Sequence, residues 1–387
     1  MRAVFMKIIA IAGSLAAALL IVEALLWALT SLSLIPSYKV EQVQKFYDEK
    51  LLYRIEPLSL PEIDENGFRN PTVPDEVDVI GIGDSMTYGY NALTEDSWVY
   101  QLGQKTGLSV YNISIGGGGP PQYLLLLDEA LKLKPSTIIV GLYLGNDIAG
   151  SCSVFRELDF WKSYAVENEI DIDDCVNSNS VYWGTGPQVS SDAARDVSGS
   201  LLETIRGSYT ISFIKSIDPV KKMIWSFRAK KLLTESSDFY LIEDDALNVL
   251  IDYSKSDLID RKEKAVQNGY EITKILFKEM TLKLGKDQQL VVAIIPTKAD
   301  VFYDFLQERD HDIPKAHEDS VLMQRELTAD FIDYFNDLGV DAVDARPFYE
   351  EKILNQNPRL YQEFNRDNHP TKIGYEAIAD SLMELFQ

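Results

Sequence analysis

The sequence contains little cysteine, little histidine and too few basic residues to balance its acidic ones. Its 387 residues include two cysteines and three histidines, and 37 lysines and arginines stand against 60 acidic residues, which gives a formal net charge of −23. Two cysteines can form one disulfide bridge, but they are too few for a disulfide framework or a multi-cysteine zinc site. A chain this acidic lacks the basic face that binds nucleic-acid phosphates. A disordered chain is also excluded, because 46% of the residues are hydrophobic.

Only one apolar run is long enough to cross a membrane. Between Ile8 and Ile35 the sole ionisable side chain is Glu23, and a helix needs about 20 apolar residues to span the hydrocarbon core. Two basic residues precede the run, which predicts a cytoplasmic N-terminus. The alternative is a cleaved signal peptide, although its apolar stretch is usually only about 7 to 15 residues. We therefore predict a single-pass membrane protein, with a cytoplasmic stub and transmembrane anchor in residues 1–35 and a periplasmic or extracellular remainder.

The two cysteines lie close together in the part predicted to be outside the cytosol. Cys152 and Cys175 are 23 positions apart, and a disulfide is permitted in that compartment. A disulfide bridge between them would cross-link a segment at the surface. Two buried free thiols are an equal alternative.

Short apolar runs alternate with helical patterns over most of the chain. Five runs have the composition of buried strands, at residues 77–83, 108–115, 136–144, 289–296 and 340–343. Apolar residues at helical spacing predict helices over 122–134, 258–284, 321–338 and 372–386. Strands that alternate with helices indicate a three-layer α/β/α sandwich with about five parallel strands.

Two segments fall outside this alternation. Residues 36–75 are polar and contain proline, which predicts a linker to a domain that spans residues 76–387. Residues 149–253 are predicted to be a mostly helical insertion, in which residues 198–231 form two short helices broken at Pro219. Aromatic residues of the insertion suit either stacking on sugar rings or packing in its own core; they include Phe160, Trp161, Tyr164, Tyr182, Trp183, Tyr209 and Trp225.

Polar sequences follow the ends of three predicted strands, and a fourth precedes the last helix. The carboxyl edge of an open parallel sheet is where ligands bind. A serine that follows a strand and opens a helix has an exposed hydroxyl and a free backbone N–H, although a simple helix cap has the same pattern. The four sequences are Gly83-Asp84-Ser85, Asn112-Ile-Ser-Ile-Gly-Gly117, Gly145-Asn146-Asp147 and Asp367-Asn368-His369.

Three familiar loop motifs do not fit these sequences. The α/β-hydrolase elbow Gly-x-Ser-x-Gly would need glycine where Thr87 stands. The dinucleotide loop Gly-x-Gly-x-x-Gly would need glycine at Met86. The Gly116–Gly119 run lacks the lysine and hydroxyl residue of a phosphate loop.

Taken together, the four sequences resemble the SGNH (GDSL-type) hydrolase superfamily in order and in structural position. The resemblance covers about residue 77 to the C-terminus, interrupted by the insertion. It implies a flavodoxin-like fold and serine ester hydrolysis that needs no cofactor and no metal. The segments Asn66-Gly-Phe-Arg69 and Ile295-Pro-Thr-Lys298 are similar to membrane-anchored bacterial members and to sugar O-acetyl esterases and acetyltransferases.

The resemblance also implies a role for each site residue. Ser85 would be the nucleophile, His369 the base and Asp367 the acid that orients it. The backbone N–H groups of Ser85 and Gly117 and the side-chain amide of Asn146 would form the oxyanion hole. Supporting roles fall to Asp84 and Asp147, whose side chains would hold the loops. The sequence departs from many members in one respect, since Asp367 is two residues before His369 and Arg366 occupies the position three before it.

The residues themselves support the same choice of base. Acyl transfer needs a nucleophile, a base, a group that holds the base and donors for the oxyanion. His311 and His317 lie in a charged stretch that predicts a solvated loop, or less readily a metal site, although their spacing matches no common metal motif. His369, between polar residues and a helix start, suits the rim of a site.

The sequence thus predicts an ester hydrolase or O-acetyltransferase that acts on acylated carbohydrate outside the cytoplasmic membrane. The membrane is contacted through the N-terminal helix, no nucleic acid is expected, and no residue identifies a protein partner. Two alternatives are a lipase or thioesterase of the same superfamily and a tethered, catalytically silent glycan-binding component.

Overall fold

The structure of the protein is a computed structural model that describes residues 43–177, 217–244, 247–253, 258–354 and 359–386, together with residues 14, 17–26, 28–29 and 213–214. The chain divides into two units, one of residues 1–42 and 190–228 and the other of residues 43–189 and 229–387. The second unit contains the sheet and all the predicted site residues. Among the residues just given, no helix is both long and apolar enough to cross a membrane, and most of the predicted anchor lies outside them.

Nine strands are found in the described part of the second unit. They are β1 (Lys45–Asp48), β2 (Leu52–Ile55), β3 (Val79–Gly83), β4 (Val110–Ser114), β5 (Thr137–Tyr143), β6 (Phe239–Asp244), β7 (Leu247–Asp252), β8 (Gln289–Ile295) and β9 (Asp341–Asp344). Five of them form one parallel sheet in the order β4-β3-β5-β8-β9. If only these five strands are counted, from 1 to 5 along the chain, their order across the sheet is 2-1-3-4-5, which is that of a doubly wound sheet. The prediction of about five parallel strands is confirmed.

The helices of the described residues cover both faces of this sheet or belong to the insertion. They are α1 (Ser85–Tyr88), α2 (Trp98–Thr106), α3 (Pro120–Ala130), α4 (Asp147–Glu157), α5 (Asp159–Glu167), α6 (Asp173–Val176), α7 (Asp218–Glu235), α8 (Lys264–Lys283), α9 (Lys298–Val301), α10 (Tyr303–Glu308), α11 (Lys315–Leu338), α12 (Arg346–Leu354) and α13 (Lys372–Leu382). Short 3₁₀ turns lie at Thr94–Asp96, Leu131–Leu133 and Met383–Phe386.

The alternation of side chains along the strands produces two core layers. Ile80 and Ile82 of β3 pack with α3, α4, α8 and α11, whereas Val79 packs on the other face with α2, α12 and α13. Strands buried on both faces are apolar throughout, which explains why their runs are visible in the sequence.

The segment predicted to be a linker is part of the packed domain from residue 43 onward. Strands β1 and β2 form an antiparallel hairpin, and Tyr53 and Phe68 are buried in the core. Asp64 is also buried and accepts hydrogen bonds from the Tyr111 hydroxyl at 2.6 Å and the Asn70 side chain at 2.9 Å. The expectation of a polar linker is therefore wrong for this stretch, because a few spaced aromatic residues anchor it.

The insertion differs from its prediction at its C-terminal end. Strands β6 and β7 pair as an antiparallel hairpin, so the insertion is not mostly helical at its end. Pro219 lies in the first turn of helix α7, where its missing N–H costs no hydrogen bond, and most of the stretch predicted to form the preceding helix, residues 198–216, lies outside the described residues.

The start of the insertion packs tightly on the sheet domain. Helix α4 begins directly after the β5 turn, and the disulfide between Cys152 and Cys175 joins it to α6 with Cα atoms 5.1 Å apart. Of the two alternatives for the cysteines, the bridge is confirmed. Trp161 is fully buried, 5.2 Å from the ring of Phe155, which favours the core role for this aromatic residue. Tyr182, Trp183 and Tyr209 lie outside the described residues.

His317 is not in a solvated loop. Helix α11 begins at Lys315, six residues earlier than predicted, and His317 is fully buried in its first turn. The ring donates from Nε2 to the Ala299 carbonyl at 2.8 Å and stacks against Tyr253. Charged neighbours on the outer face of the helix made this stretch resemble a loop.

Candidate active site

Ser85 opens α1 at the carboxyl end of β3, an inner strand of the sheet. The carboxylate of Asp84 caps this short helix by accepting the Met86 N–H at 2.8 Å. A side chain on Gly83 would place its Cβ 2.0 Å from Oγ1 of Thr87, so only glycine lets α1 start this close to the sheet. The hydroxyl of Ser85 donates to Oδ2 of Asp84 at 3.2 Å.

Asp84 is fully buried and connects two of the predicted site residues. Burial raises its pKa, and the Met86 N–H, the charge of His369 and the Asn146 amide oppose that rise. Besides the serine hydroxyl, it accepts the Asn146 side-chain amide at 3.3 Å. Asp84 thus holds the serine hydroxyl and the asparagine amide at one carboxylate oxygen, Oδ2.

The predicted oxyanion donors lie after three neighbouring strands. Gly117 is exposed in the turn after β4 and has a φ of +76°, a left-handed conformation that favours glycine. Asn146 precedes α4 but makes no side-chain cap to that helix. Among the described residues, the backbone N–H groups of Ser85 and Gly117 donate to no protein acceptor. Free donors of this kind can stabilise a negative oxygen.

Asp147 fixes the turn between β5 and α4. It is fully buried and accepts the Tyr143 N–H at 2.9 Å and the Tyr123 hydroxyl at 3.0 Å through Oδ2. Burial and the nearby Asp84 carboxylate raise its pKa well above the usual value. These contacts give Asp147 a structural role, because its carboxylate contacts the scaffold of the turn.

His369 and Asp367 form a short ion pair in the loop before α13. Nδ1 of His369 is 2.5 Å from Oδ1 of Asp367, and the His369 N–H donates to the same oxygen at 3.0 Å. Asn91 donates to the other carboxylate oxygen at 3.1 Å. Burial raises the pKa of Asp367, but the hydrogen bonds and charge of His369 outweigh it and hold the pKa well below the ordinary value. The carboxylate therefore stays charged and fixes the ring, so the shorter Asp-x-His spacing is compatible with an orienting acid.

Tyr90 links the Gly116–Gly117 turn to the histidine. Its ring centroid is 5.1 Å from that of His369, and a Cβ built on Gly116 would lie 2.9 Å from Cε2 of the tyrosine. The same ring thus borders the turn that carries one oxyanion donor and the ring of the candidate base.

Four of the predicted residues line one cavity of about 480 Å³ at the carboxyl edge of the sheet. These four residues are Ser85, Asn146, Asp367 and His369, whereas Gly117 does not line the cavity. Within the described part of the chain no hydrogen bond joins Ser85 to His369, and the hydroxyl is turned toward Asp84. The lining residues are Ser85, Met86, Tyr143, Asn146, Asp252, Asn365, Arg366, Asp367, Asn368 and His369.

Several residues at this site were not predicted from the sequence. Tyr90 and Asn91 lie just after α1, and nothing in their sequence context marks them. Asp252 reaches the cavity from the hairpin of the insertion, which the helical prediction missed. Lys298 is fully buried beside the His369 loop, and its signal was present in the Ile295-Pro-Thr-Lys298 segment.

No metal centre is found in the described part of the chain. Within it, no group of three or more histidine, cysteine or acidic side chains could hold an ion. His311 lines a separate surface cavity with Asp310 and Asp312, but these residues do not form such a group.

Comparisons with known proteins add little to this geometry. No family model and no curated protein matches the sequence. Among solved structures, an acetyl xylan esterase aligns with a TM-score of 0.35 and 11% identity, over 80% of this chain and 99% of that one. A lipase from a goat rumen metagenome aligns with a TM-score of 0.34 and 12% identity, over 80% and 96%. Scores this low carry no argument about fold or function.

Proposed function

We propose that this protein is a serine ester hydrolase or O-acyltransferase of the SGNH type, acting outside the cytoplasmic membrane on O-acetyl groups of carbohydrate. The observation that carries the proposal is the shared cavity. A helix-opening serine, an asparagine amide and a histidine bonded at 2.5 Å to a carboxylate all line it. These are the parts that acyl transfer requires.

The proposed reaction proceeds through an acyl-enzyme. Ser85 Oγ turns from Asp84 toward the ring of His369 and attacks the acyl carbonyl carbon, while its proton passes to Nε2. Asp367 keeps the ring oriented through Nδ1 and balances the imidazolium charge. The tetrahedral intermediate then collapses, and His369 gives the proton to the departing sugar oxygen. Water or a second sugar hydroxyl resolves the ester on Ser85 by the same steps in reverse.

The oxyanion is held by three donors in this proposal. They are the N–H groups of Ser85 and Gly117 and the Nδ2 of Asn146. The first two lack protein acceptors among the described residues, so no internal bond must break before they serve the substrate. One donor of this kind typically contributes about 10²–10³ in turnover.

The cavity favours a polar alcohol with a small acyl group. Of the ten described residues that line the cavity, eight are polar or charged, and the two with larger apolar side chains, Met86 and Tyr143, are buried and expose little surface. A long acyl chain would need a longer apolar channel to be desolvated, whereas the hydroxyls of a sugar find hydrogen-bond partners here.

The location outside the membrane is supported by the disulfide. The Cys152–Cys175 bridge is formed, and such bridges persist in oxidising compartments. The apolar run of residues 8–35 supplies the proposed anchor.

The proposal is tested with the purified full-length chain on 4-nitrophenyl acetate and octanoate. We expect faster cleavage of the acetate, abolished in Ser85→Ala and retained in Ser109→Ala, an exposed serine at the opposite edge of the sheet. Faster octanoate cleavage would support a lipase or thioesterase instead. Equal activity in wild type and Ser85→Ala would overturn the proposal. So would a failure of both proteins to transfer an acyl group to water or to an oligosaccharide, and that result would favour a glycan binder.

A further inference from the structure

Lys298 is a fully buried lysine whose charge is unused in the reaction just described. It is the first residue of α9, three positions after the end of β8, and its side chain is 1% exposed. Lysine is among the residues least often fully buried, unless it has a partner. Its surroundings therefore call for a physical explanation.

The lysine ammonium contacts the backbone of the loop that carries the acid and the base. Nζ donates to the carbonyl of Asn365 at 2.8 Å and to the carbonyl of Asp367 at 3.2 Å. It also lies 5.4 Å from the centroid of the Tyr361 ring. Both bonds are made to main-chain atoms, so they hold the path of the loop rather than any one side chain.

The same loop is also held by Asn91, whose side-chain amide donates to the Asp367 carboxylate at 3.1 Å and to the His369 carbonyl at 3.4 Å. Residues 365–369 line the cavity and are partly exposed, so apolar packing contributes little to their position. The Asp367 N–H bonds to the side chain of Asn365 at 3.1 Å, which lies within the loop itself. Lys298 is therefore a direct link between these residues and the end of a central strand.

Burying an ammonium is costly, which argues against a purely stabilising role. Burial lowers the pKa of Lys298 to about 7, although the negative charges of Asp367 and Asp252 oppose this. Buried charges can often be replaced by well-packed apolar groups without loss of stability. A lysine retained at this cost fits a role in fixing geometry better than a role in stability.

We propose that Lys298 is a positioning residue, which fastens the backbone of residues 365–367 to the end of β8 and so holds the Asp367 carboxylate against the ring of His369. The inference rests on the proposed function, because it assigns Lys298 to the Asp367–His369 pair of that mechanism. Misplacing a catalytic group by about 1 Å can cost about 10²-fold in rate. The effect should appear in kcat, since Lys298 does not contact the cavity that binds the substrate.

The test compares Lys298→Met with wild type in the full-length chain. Methionine keeps most of the stem and removes the three donors. We expect kcat on 4-nitrophenyl acetate to fall by about 10- to 100-fold, with KM changed by less than about threefold. Phe335→Leu is the control for a general loss of stability, because Phe335 is buried in α11 far from the first turn of that helix. Its kcat should stay at the wild-type value even where its melting temperature is as low as that of Lys298→Met.

A double-mutant cycle separates positioning from simple destabilisation. If Lys298 acts through Asp367, Lys298→Met should cost less than about threefold in an Asp367→Ala background, because the carboxylate it positions is already gone. Lys298→Gln, which keeps donors on a shorter stem, should fall between wild type and Lys298→Met, and it carries the same cycle if the methionine variant does not fold.

Two results would overturn the inference. One is wild-type kcat in a folded Lys298→Met or Lys298→Gln variant. The other is an equal loss with and without Asp367. Ser85→Ala is measured alongside these variants. If Ser85→Ala is still active, the proposed function itself is refuted. If Ser85→Ala is inactive and Lys298→Met is fully active, only the role of Lys298 is refuted.

Discussion

Asn146→Ala separates catalysis from stability more cleanly than other changes at this site. The amide of Asn146 donates to Asp84 at a long 3.3 Å, and its Oδ1 is buried with no hydrogen-bond partner among the described residues. The side chain does not cap α4. Removing it therefore loses one weak hydrogen bond, worth about 1 kcal/mol, and also removes an unsatisfied polar atom.

The rate should respond far more strongly than the stability. If Nδ2 donates to the oxyanion, its loss costs about 2.7–4 kcal/mol in the transition state, or about 10²–10³ in kcat. The substrate carbonyl carries little charge before attack, so KM should change by less than about threefold. We expect a variant that melts within a few degrees of wild type and turns over slowly.

The assay is steady-state hydrolysis of 4-nitrophenyl acetate with thermal unfolding measured on the same samples. Asn168→Ala serves as the matched control, because within the described part of the chain its side chain bonds only to the Tyr164 carbonyl of α5, and it does not line the cavity. A wild-type kcat for Asn146→Ala would remove this amide from the oxyanion hole. A melting temperature lowered by more than about 10 °C would show instead that its role is structural.

Three further outcomes follow from the contacts described above. Asp367→Asn should lower kcat/KM by about 10⁴, since the ring of His369 loses its charged partner; a loss below tenfold would assign the orienting role elsewhere. Replacing Cys152 and Cys175 by alanine together should lower the free energy of unfolding by about 3 kcal/mol, because the bridge closes a loop of 23 positions; urea unfolding that matches wild type would contradict this. Because the pKa of Lys298 falls from 10.5 to about 7 on burial, the unfolded chain binds more protons between those pH values. Wild type should therefore gain stability relative to Lys298→Met as pH rises through that window, by at most about 5 kcal/mol, and a pH-independent difference would refute the assignment.

The sheet could be predicted from the sequence because its strands are buried on both faces. Runs such as Val79–Gly83 and Gln289–Ile295 are almost wholly apolar, and a run of this kind is visible without any knowledge of its neighbours. The polar sequences at the strand ends followed from the same reasoning, since parallel strands bring their carboxyl ends to one edge.

Elements that depend on a distant partner could not be predicted in this way. The segment of residues 43–75 has a polar composition, and its burial comes from Tyr53 and Phe68, which pack in the core of the sheet domain. His317 has charged neighbours along the sequence, but the helix turns those outward and the ring inward. The bridge between Cys152 and Cys175 depends on the placement of α4 against α6, which sequence spacing alone does not determine.

The residues of the site also divide into those marked by a local sequence pattern and those placed only by tertiary contacts. Each of the candidates Ser85, Asn146, Asp367 and His369 belongs to a local sequence pattern, and a shared site was expected because ligands bind at the carboxyl edge of a parallel sheet. Tyr90 and Asn91 reach the histidine loop only through the tertiary fold, about 280 positions away in sequence. Sequence patterns thus supply the candidate reacting groups, and the residues that hold them are identified only from the structure.

Covalent trapping distinguishes Ser85, the proposed nucleophile, from every other serine of the chain. The full-length chain is treated with diisopropyl fluorophosphate, and its peptides are then analysed by mass spectrometry while esterase activity is followed. We predict that one phosphoryl group is attached to Ser85, in step with the loss of activity, and that Asp367→Asn reacts far more slowly. Complete inactivation with Ser85 unmodified, or labelling at another serine in step with the loss of activity, would contradict the account.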